Sequence, residues 1–220
     1  GASLERARLE KIRLPAADLG GAILISANLE KADARRAYLD GANLRHANLS
    51  GANLQKVYAI ETDFKSANLK GAKLQRADLD GADLRKASLN QTQMQNTFLL
   101  SADLRKADLR GVMLQGAHLR NAQLQASLFQ EAEFDSDTSW SGANLSGSAA
   151  KNVDFTETPG IERHVEKIFG DATVRLPNGS RPSSQGWPKH WARENLDVDE
   201  FIELWQVWRG DLTNRNADPS

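Results

Sequence analysis

The chain has 220 residues, 28 Lys+Arg against 29 Asp+Glu, four histidines and no cysteine. The absence of cysteine excludes a disulfide framework and thiolate chemistry. A net charge of −1 excludes the strong basic field of a nucleic-acid binder. No stretch approaches the ~20 apolar residues of a membrane span, and no signal peptide is visible. A membrane anchor upstream of Gly1 is left open.

From Leu4 onward a leucine returns every five residues: Leu4, Leu9, Leu14, Leu19, Leu24, Leu29 and on to Leu124, Phe129 and Phe134. Two positions earlier stands a small residue, as in Ala17, Ala22, Ala27, Ala32 and Ala37. Ala34, Ala59 and Met94 interrupt the first series, and Val57, Thr62, Thr92, Thr97 and Val112 the second. A period of five suits neither common element. On an α-helix it advances about 140° past a full turn, and on a strand it changes faces at each step. The chain must bend once per quintet, so that every leucine points at one axis. Near Asp137–Gly142 the phase slips by one, and DSDTSWSG reads as a bulged loop. Leu145, Ala150 and Phe155 then resume the pattern.

The variable positions carry a period of twenty, which is four quintets. Gln55, Gln75, Gln95 and Gln115 form one such column, and Asn28, Asn48 and Asn68 another. Asp63, Asp83 and Asp103 run beside Lys65, Arg85 and Arg105. If one turn holds four quintets, these residues stack at about 4.8 Å, where amides can bond along a ladder and opposite charges can neutralise. Leu4 to Phe155 then makes about eight square coils.

The quintets ANLRH, ANLSG, ANLQK, ADLDG, ADLRK and ADLRG resemble those of the pentapeptide-repeat family. The resemblance covers about residues 1–155. It implies an all-β fold, a right-handed quadrilateral β-helix with four segments per coil. The expectation of a cytoplasmic bacterial protein comes mostly from this resemblance. Some members of that family resemble duplex DNA and bind DNA gyrase, which needs a strongly acidic rod. Residues 1–155 instead carry 20 Lys+Arg and 18 Asp+Glu, a balance of +2.

Residues 156–220 lie outside the repeat and predict a small, mainly α-helical tail that caps the solenoid, packs along it, or pairs with a second copy. TPGIERHVEKIFG reads as a short helix with Thr158 as its cap. ATVRLPNGS reads as a small hairpin turning at Asn178-Gly179, and RPSSQGWP as a loop. LDVDEFIELWQVWRG reads as a last helix, capped by Asp197 or Asp199 and closed by Gly210, with Phe201, Leu204, Trp205 and Trp208 on one stripe. With Trp187 and Trp191, these are the candidate anchoring or dimer contacts. A homodimer through the tail or through the Leu4 end is an arrangement the sequence leaves open.

Nothing points to catalysis. No Walker loop, GxSxG or HExxH occurs. His190 and Glu194 sit four apart but supply too few ligands for a metal, and a surface ion pair is the simpler reading. The expectation is no enzyme, no metal, no cofactor and no nucleic acid. One surface feature stands apart: Tyr38, Tyr58 and Phe98, with Ile60 and Leu100 two positions on, point outward on one side although apolar. Such a patch marks a contact surface, unless the tail covers it. The leading reading is a non-catalytic interaction protein that presents a rigid rod to a protein partner. The alternative is a DNA-mimic regulator of gyrase, which the charge disfavours.

Overall fold

The computed structural model describes residues 1–182 and 184–217, with side chains to residue 212. Ser183, within the expected loop, and residues 218–220 lie outside it. Parallel bridges join each quintet to the one twenty residues on, as in Asn28↔Asn48↔Asn68 and Tyr38↔Tyr58↔Asp78↔Phe98. Each coil therefore has four sides, and each side contributes one bridging residue per coil. Regular strands are few because each side is so short.

The quintet Ala42–His46 shows why the backbone accepts a bend after every five residues. Ala42 N–H closes the corner onto Leu39 O at 2.8 Å. Asn43 N–H reaches back to Ala22 O at 2.9 Å, while Leu44 N–H and His46 N–H reach forward to Asp63 O and Lys65 O at 2.7 and 3.1 Å. The remaining donor, Arg45 N–H, bonds the Asn43 side-chain oxygen at 3.2 Å. All five amides are satisfied, as a buried or half-buried backbone requires. The corner is a type II turn whose third residue has positive φ, 58° at His46 and 63° at Gly41. Many corners place Lys, Arg, Ser or Glu there rather than glycine, at a cost the inter-coil bonds must outweigh.

Inside, the leucine and alanine columns form one continuous core with Phe64 and Met94. Threonine fits the small position because its hydroxyl finds a carbonyl: Thr62, Thr92 and Thr97 Oγ1 donate to Leu39 O, Leu69 O and Leu74 O at 2.7–2.9 Å. The phase slip lies slightly earlier than its sequence suggests. Thr138 takes the small position and Trp140 the axis, so His118 pairs with Ser139 and Gln123 with Asn144. The extra residue is absorbed at Asp135–Asp137, where Asp135 accepts from Thr138 Oγ1 and from Asp137 N–H. Trp140 packs edge-on against Phe129 and Phe134, and Phe134 stacks on Phe155.

The coil does not stop at Phe155. Thr158 N–H closes a corner onto Phe155 O at 3.0 Å, as alanine does elsewhere. The expected helix over 158–170 is therefore replaced by two 3-10 turns, Ile161–Arg163 and Val165–Lys167. A strand follows, Ile168–Gly170 (β3), parallel to Ser148–Lys151 (β2), which pairs with Leu128–Gln130 (β1). The solenoid register outcompetes local helix propensity here. The expected hairpin is also absent: Arg175 pairs in parallel with Asp154, and Asn178-Gly179 makes a corner closed by Gly179 N–H to Leu176 O.

Past that point the tail covers the open end. Val174, Leu176, Trp187 and Trp191 join the axial core. Trp191 Nε1 donates to Ile168 O at 2.8 Å, and its ring lies so close over Gly170 that an added Cβ would meet it at 2.6 Å. The last helix, Val198–Ala217 (α1), begins at Asp197, whose carboxylate accepts from Glu200 N–H at 2.9 Å. It runs past Gly210 rather than ending there. Phe201 and Trp205 bury against Ala149, Phe169 and Leu196, with Trp208 partly buried beside them. Leu204 is 43% exposed and leaves the expected stripe. α1 thus lies on the side that carries Leu128, Ala149 and Phe169. No described helix is long and apolar enough to cross a membrane.

One buried ion pair fastens the tail to the last full coil. Lys151 Nζ lies 2.7 Å from Asp171 Oδ2 and donates to Leu196 O and Asn195 Oδ1 at 2.6 and 3.0 Å. Both side chains are almost fully buried, and Asp171 also accepts from Leu196 N–H and from Thr173 N–H and Oγ1. Lys151→Met, which leaves the Asp171 charge buried without its cation, should cost about 3–5 kcal/mol in urea unfolding followed by tryptophan fluorescence, and adding Asp171→Leu should recover only part of it, because those donors then lose their acceptor.

Candidate interaction surface

On three of the four sides many polar groups pair with one another, although Ile23 stands exposed on the first. On the first, Asp83 and Asp103 each hold an arginine two residues on: Arg85 Nη2 and Arg105 Nη2 sit 2.5 and 2.6 Å from the carboxylates. Arg85 also reaches Asp103 of the next coil at 3.5 Å, and Arg45 lies 3.8 Å from Asp63. On the second, Asn68 Nδ2 donates to Asn48 Oδ1 and Asn48 Nδ2 to Asn28 Oδ1, at 3.1 and 3.0 Å. Arg110 pairs with Asp108 at 2.6 Å on this side, before α1 covers it. On the third, Arg35 pairs with Asp33 at 2.7 Å.

The glutamine column at the adjoining corner does not bond along itself as expected. Gln75 Nε2 donates to Gln93, Gln95 Nε2 to Met113 Sδ and Gln115 Nε2 to Glu133, each eighteen residues on. The side-chain oxygens of Gln75, Gln95 and Gln115 are buried without a hydrogen-bond partner.

The fourth side lies opposite α1 and is different. Tyr38, Tyr58 and Phe98 are 47, 45 and 46% exposed, and Ile60 and Leu100 are 41 and 39% exposed. Tyr38 stacks on Tyr58 with ring centroids 5.0 Å apart, and Phe98 stacks on His118 at 4.9 Å. Asp78 interrupts the column between the two stacks. The described aromatic residues of the tail pack elsewhere: Trp187 and Trp191 close the end of the solenoid, and Phe201, Trp205 and Trp208 pack on the opposite side.

Each aromatic position is flanked by the two corners of its own coil. One corner carries Arg36, Lys56 and Arg76, the other Asp40, Ile60, Asp80 and Leu100. None of these six charged groups, counting Asp78 between them, forms an ion pair among the described residues. Asp40 Oδ1 and Asp80 Oδ1 accept from Ile60 N–H and Leu100 N–H of the next coil, both at 2.8 Å. The carboxylates are thereby fixed in place. Burial pushes the Asp80 carboxyl up, the Leu100 amide opposes, and nearby Asp78 adds to the rise. A groove of about 630 Å³ follows the basic corner between Pro15 and Arg76, lined also by Arg35, Gln55 and Gln75.

His190 packs into the tail. Its Nε2 lies 2.6 Å from Ile168 O, its ring stacks on Trp208, and its nearest carboxylate is Glu166 at 3.9 Å rather than Glu194. No group of residues suited to holding a metal occurs among those described.

Sequence reasoning located the apolar column but missed the separation of charge on its two edges. A check of residues two before and two after each aromatic position would have found it. It also missed the commonest use of Asp and Asn at the bridging position. There the side-chain oxygen accepts from the N–H two residues on, as Asn48, Asn68 and Asp83 do for Ser50, Lys70 and Arg85.

The paired carboxylates make an acid-stability prediction. The Arg35 hydrogen bond holds the Asp33 carboxyl below its ordinary range. At Asp83 and Asp108 burial pushes upward, but the hydrogen bonds and charge of Arg85 and Arg110 outweigh it, and both are lowered. Groups with depressed folded-state values contribute stability above the unfolded carboxylate range, about pH 4, and lose it as pH falls below. Urea midpoints should therefore hold between pH 7 and pH 5 with respect to these groups and fall below about pH 4. Asp83→Asn should make that fall shallower.

The pentapeptide-repeat family model matches eight copies in this chain, over residues 2–40, 32–65, 62–99 and 102–135. A search of curated proteins finds no match. Among solved structures, similar ones include HetL, a pentapeptide repeat protein involved in heterocyst differentiation regulation from Nostoc sp. strain PCC 7120. It is 24% identical over 84% of this chain and 86% of its own, with a TM-score of 0.38. Rfr23 from the cyanobacterium Cyanothece 51142 is 28% identical over 43% of this chain and 60% of its own, with a TM-score of 0.34. QnrB1, a plasmid-mediated fluoroquinolone resistance protein, is 14% identical over 71% of this chain and 85% of its own, with a TM-score of 0.43. With its axial leucines, corner alanines and twenty-residue pairing interval, matched by the family model over more than half its length, the chain belongs to the pentapeptide repeat family.

Proposed function

We propose that this protein is a non-catalytic interaction protein: a rigid right-handed quadrilateral β-helix that presents the Tyr38, Tyr58, Ile60, Phe98 and Leu100 side to a protein partner. The observation that carries this reading is contrast. Among the described residues of the rod, the exposed large apolar side chains gather on this fourth side, with Ile23 alone on another, and stacked aromatic rings are left in solvent there. Stacking between coils accounts for only part of each ring, and exposed apolar groups gathered on one side are the usual mark of a contact surface.

Gyrase mimicry has less support. A mimic of duplex DNA needs columns of free negative charge, and here Asp33, Asp83, Asp103 and Asp108 are each held by an arginine.

The double substitution Tyr58→Ser with Phe98→Ser tests the reading. Its melting temperature should fall only modestly, by the loss of the two ring stacks, because neither ring belongs to the axial core. Its association with macromolecules from the native cell, followed by co-purification, should be lost. Clear destabilisation with association intact would show that the rings serve the fold instead.

A further inference from the structure

Four coils of this side are read from edge to edge, between a first coil with Ala16, Asp18 and Gly20 and a sixth with Gly116, His118 and Arg120. The second coil reads Arg36, Tyr38, Asp40. The third reads Lys56, Tyr58, Ile60. The fourth reads Arg76, Asp78, Asp80, and the fifth Asn96, Phe98, Leu100. The residues two before and two after the central position are both corner residues, so they flank it symmetrically. One edge therefore carries three cations and the other edge and centre three carboxylates, all without intramolecular ion partners among the described residues. On the other sides Asp33, Asp63, Asp83, Asp103 and Asp108 each have an arginine beside them. Here they are kept apart by the width of one side.

This arrangement is self-complementary in one orientation. Let a second copy lie against the side, related by a two-fold axis that runs along the rods between them. The rotation preserves the coil level and exchanges the two edges. Arg36 then faces Asp40 of its partner, and Arg76 faces Asp80 of its partner. Tyr38, Tyr58 and Phe98 each meet their own copies near the axis. The stem of Lys56 lies over Ile60 of the partner. The two Asp78 carboxylates approach each other with an Arg76 on either flank and Lys56 one coil away. The antiparallel alternative, with the axis across the rods, places cationic edge on cationic edge and acidic edge on acidic edge.

We propose that this side pairs with a second copy of the chain, the two rods lying parallel, with aromatic columns in contact and Arg36–Asp40 and Arg76–Asp80 pairs across both edges. This rests on the reading of the side as a contact surface and names its occupant. Charge complementarity selects the copy and the orientation, and burial of the rings supplies the attraction. Tyr38 to Phe98 spans three coil steps of about 4.8 Å, roughly 15 Å, so the contact falls short of the ~800 Å² per partner of a standard interface and the dimer is a weak one.

The native chain has no cysteine, which makes a single introduced thiol a clean reporter. Tyr38→Cys, Tyr58→Cys and Phe98→Cys are each oxidised separately at about 100 µM protein, a concentration suited to a weak interface. Asn48→Cys, on the side opposite, is the control. In a parallel two-fold pair all three should form disulfide-linked dimers faster than the control. Crosslinking at only one of the three, or at none above the control, overturns the proposal.

A charge swap gives an independent reading. Arg36→Glu with Arg76→Glu, and Asp40→Arg with Asp80→Arg, should each weaken self-association at least about tenfold in sedimentation experiments. An equimolar mixture of the two should associate again, with melting temperatures compared to confirm folding. Undiminished self-association of either variant contradicts the proposal. If the native protein stays monomeric while Tyr58→Ser with Phe98→Ser still abolishes binding to another macromolecule, self-pairing falls and the contact-surface reading stands. If neither association exists, both fall.

Discussion

Everything in this molecule depends on the corner turn: the amide of a small residue closing onto the carbonyl of the leucine three positions before it. The turn fixes three things together. It limits each side to a few residues, forces the next leucine toward the axis, and brings the same side of the following coil to hydrogen-bonding distance. The leucine cannot be buried without the turn. The turn in turn is held, at many corners with unfavourable positive φ, by bonds to the coils before and after. Neither is stable alone, as expected of a solenoid whose repeats contact only their neighbours. Asp and Asn at the bridging position complete the arrangement, because their side chains satisfy the one corner amide that the coils leave open.

This coupling explains why the repeat was legible from residues alone and why the tail was not. A quintet period excludes both helix and flat strand, so Ala42-Asn43-Leu44 and its relatives leave one solution. The columns at intervals of twenty then count the sides. After Phe155 the same logic continues without its signature. Thr158 and Ile161 no longer spell the quintet, yet Thr158 still closes a corner and β3 still pairs with β2. Local cues of cap, proline and apolar spacing pointed to a helix. They lost to an adjacent coil already offering a row of unpaired backbone groups. Asn178-Gly179 shows the same thing: a dipeptide suited to a hairpin was used as one more corner. Trp140 was hidden for another reason, since a single inserted residue moved it onto the axis out of phase.

The surface was half legible. An apolar residue at an outward position is visible in a list of residues, so Tyr38, Tyr58 and Phe98 stood out. The meaning of a charge depends on what lies beside it in three dimensions. Arg85 and Arg36 look alike in sequence. Arg85 is held by aspartates of its own and the next coil, whereas Arg36 forms no ion pair among the described residues. The glutamine column forms no ladder, since Gln75, Gln95 and Gln115 donate to Gln93, Met113 and Glu133 instead. The difference between the sides is one of degree: most exposed apolar side chains of the rod gather on the fourth.

The corner account is tested most directly by amide hydrogen exchange resolved to single residues across the middle coils. Amides of Leu44, Phe64 and Leu84, bonded to the coil ahead, should be strongly protected. Those of Arg45, Lys65 and Arg85, bonded to a neighbouring side-chain oxygen, should exchange markedly faster, and the alternation should recur every five residues. Uniform protection, or protection with a helical interval, would contradict it.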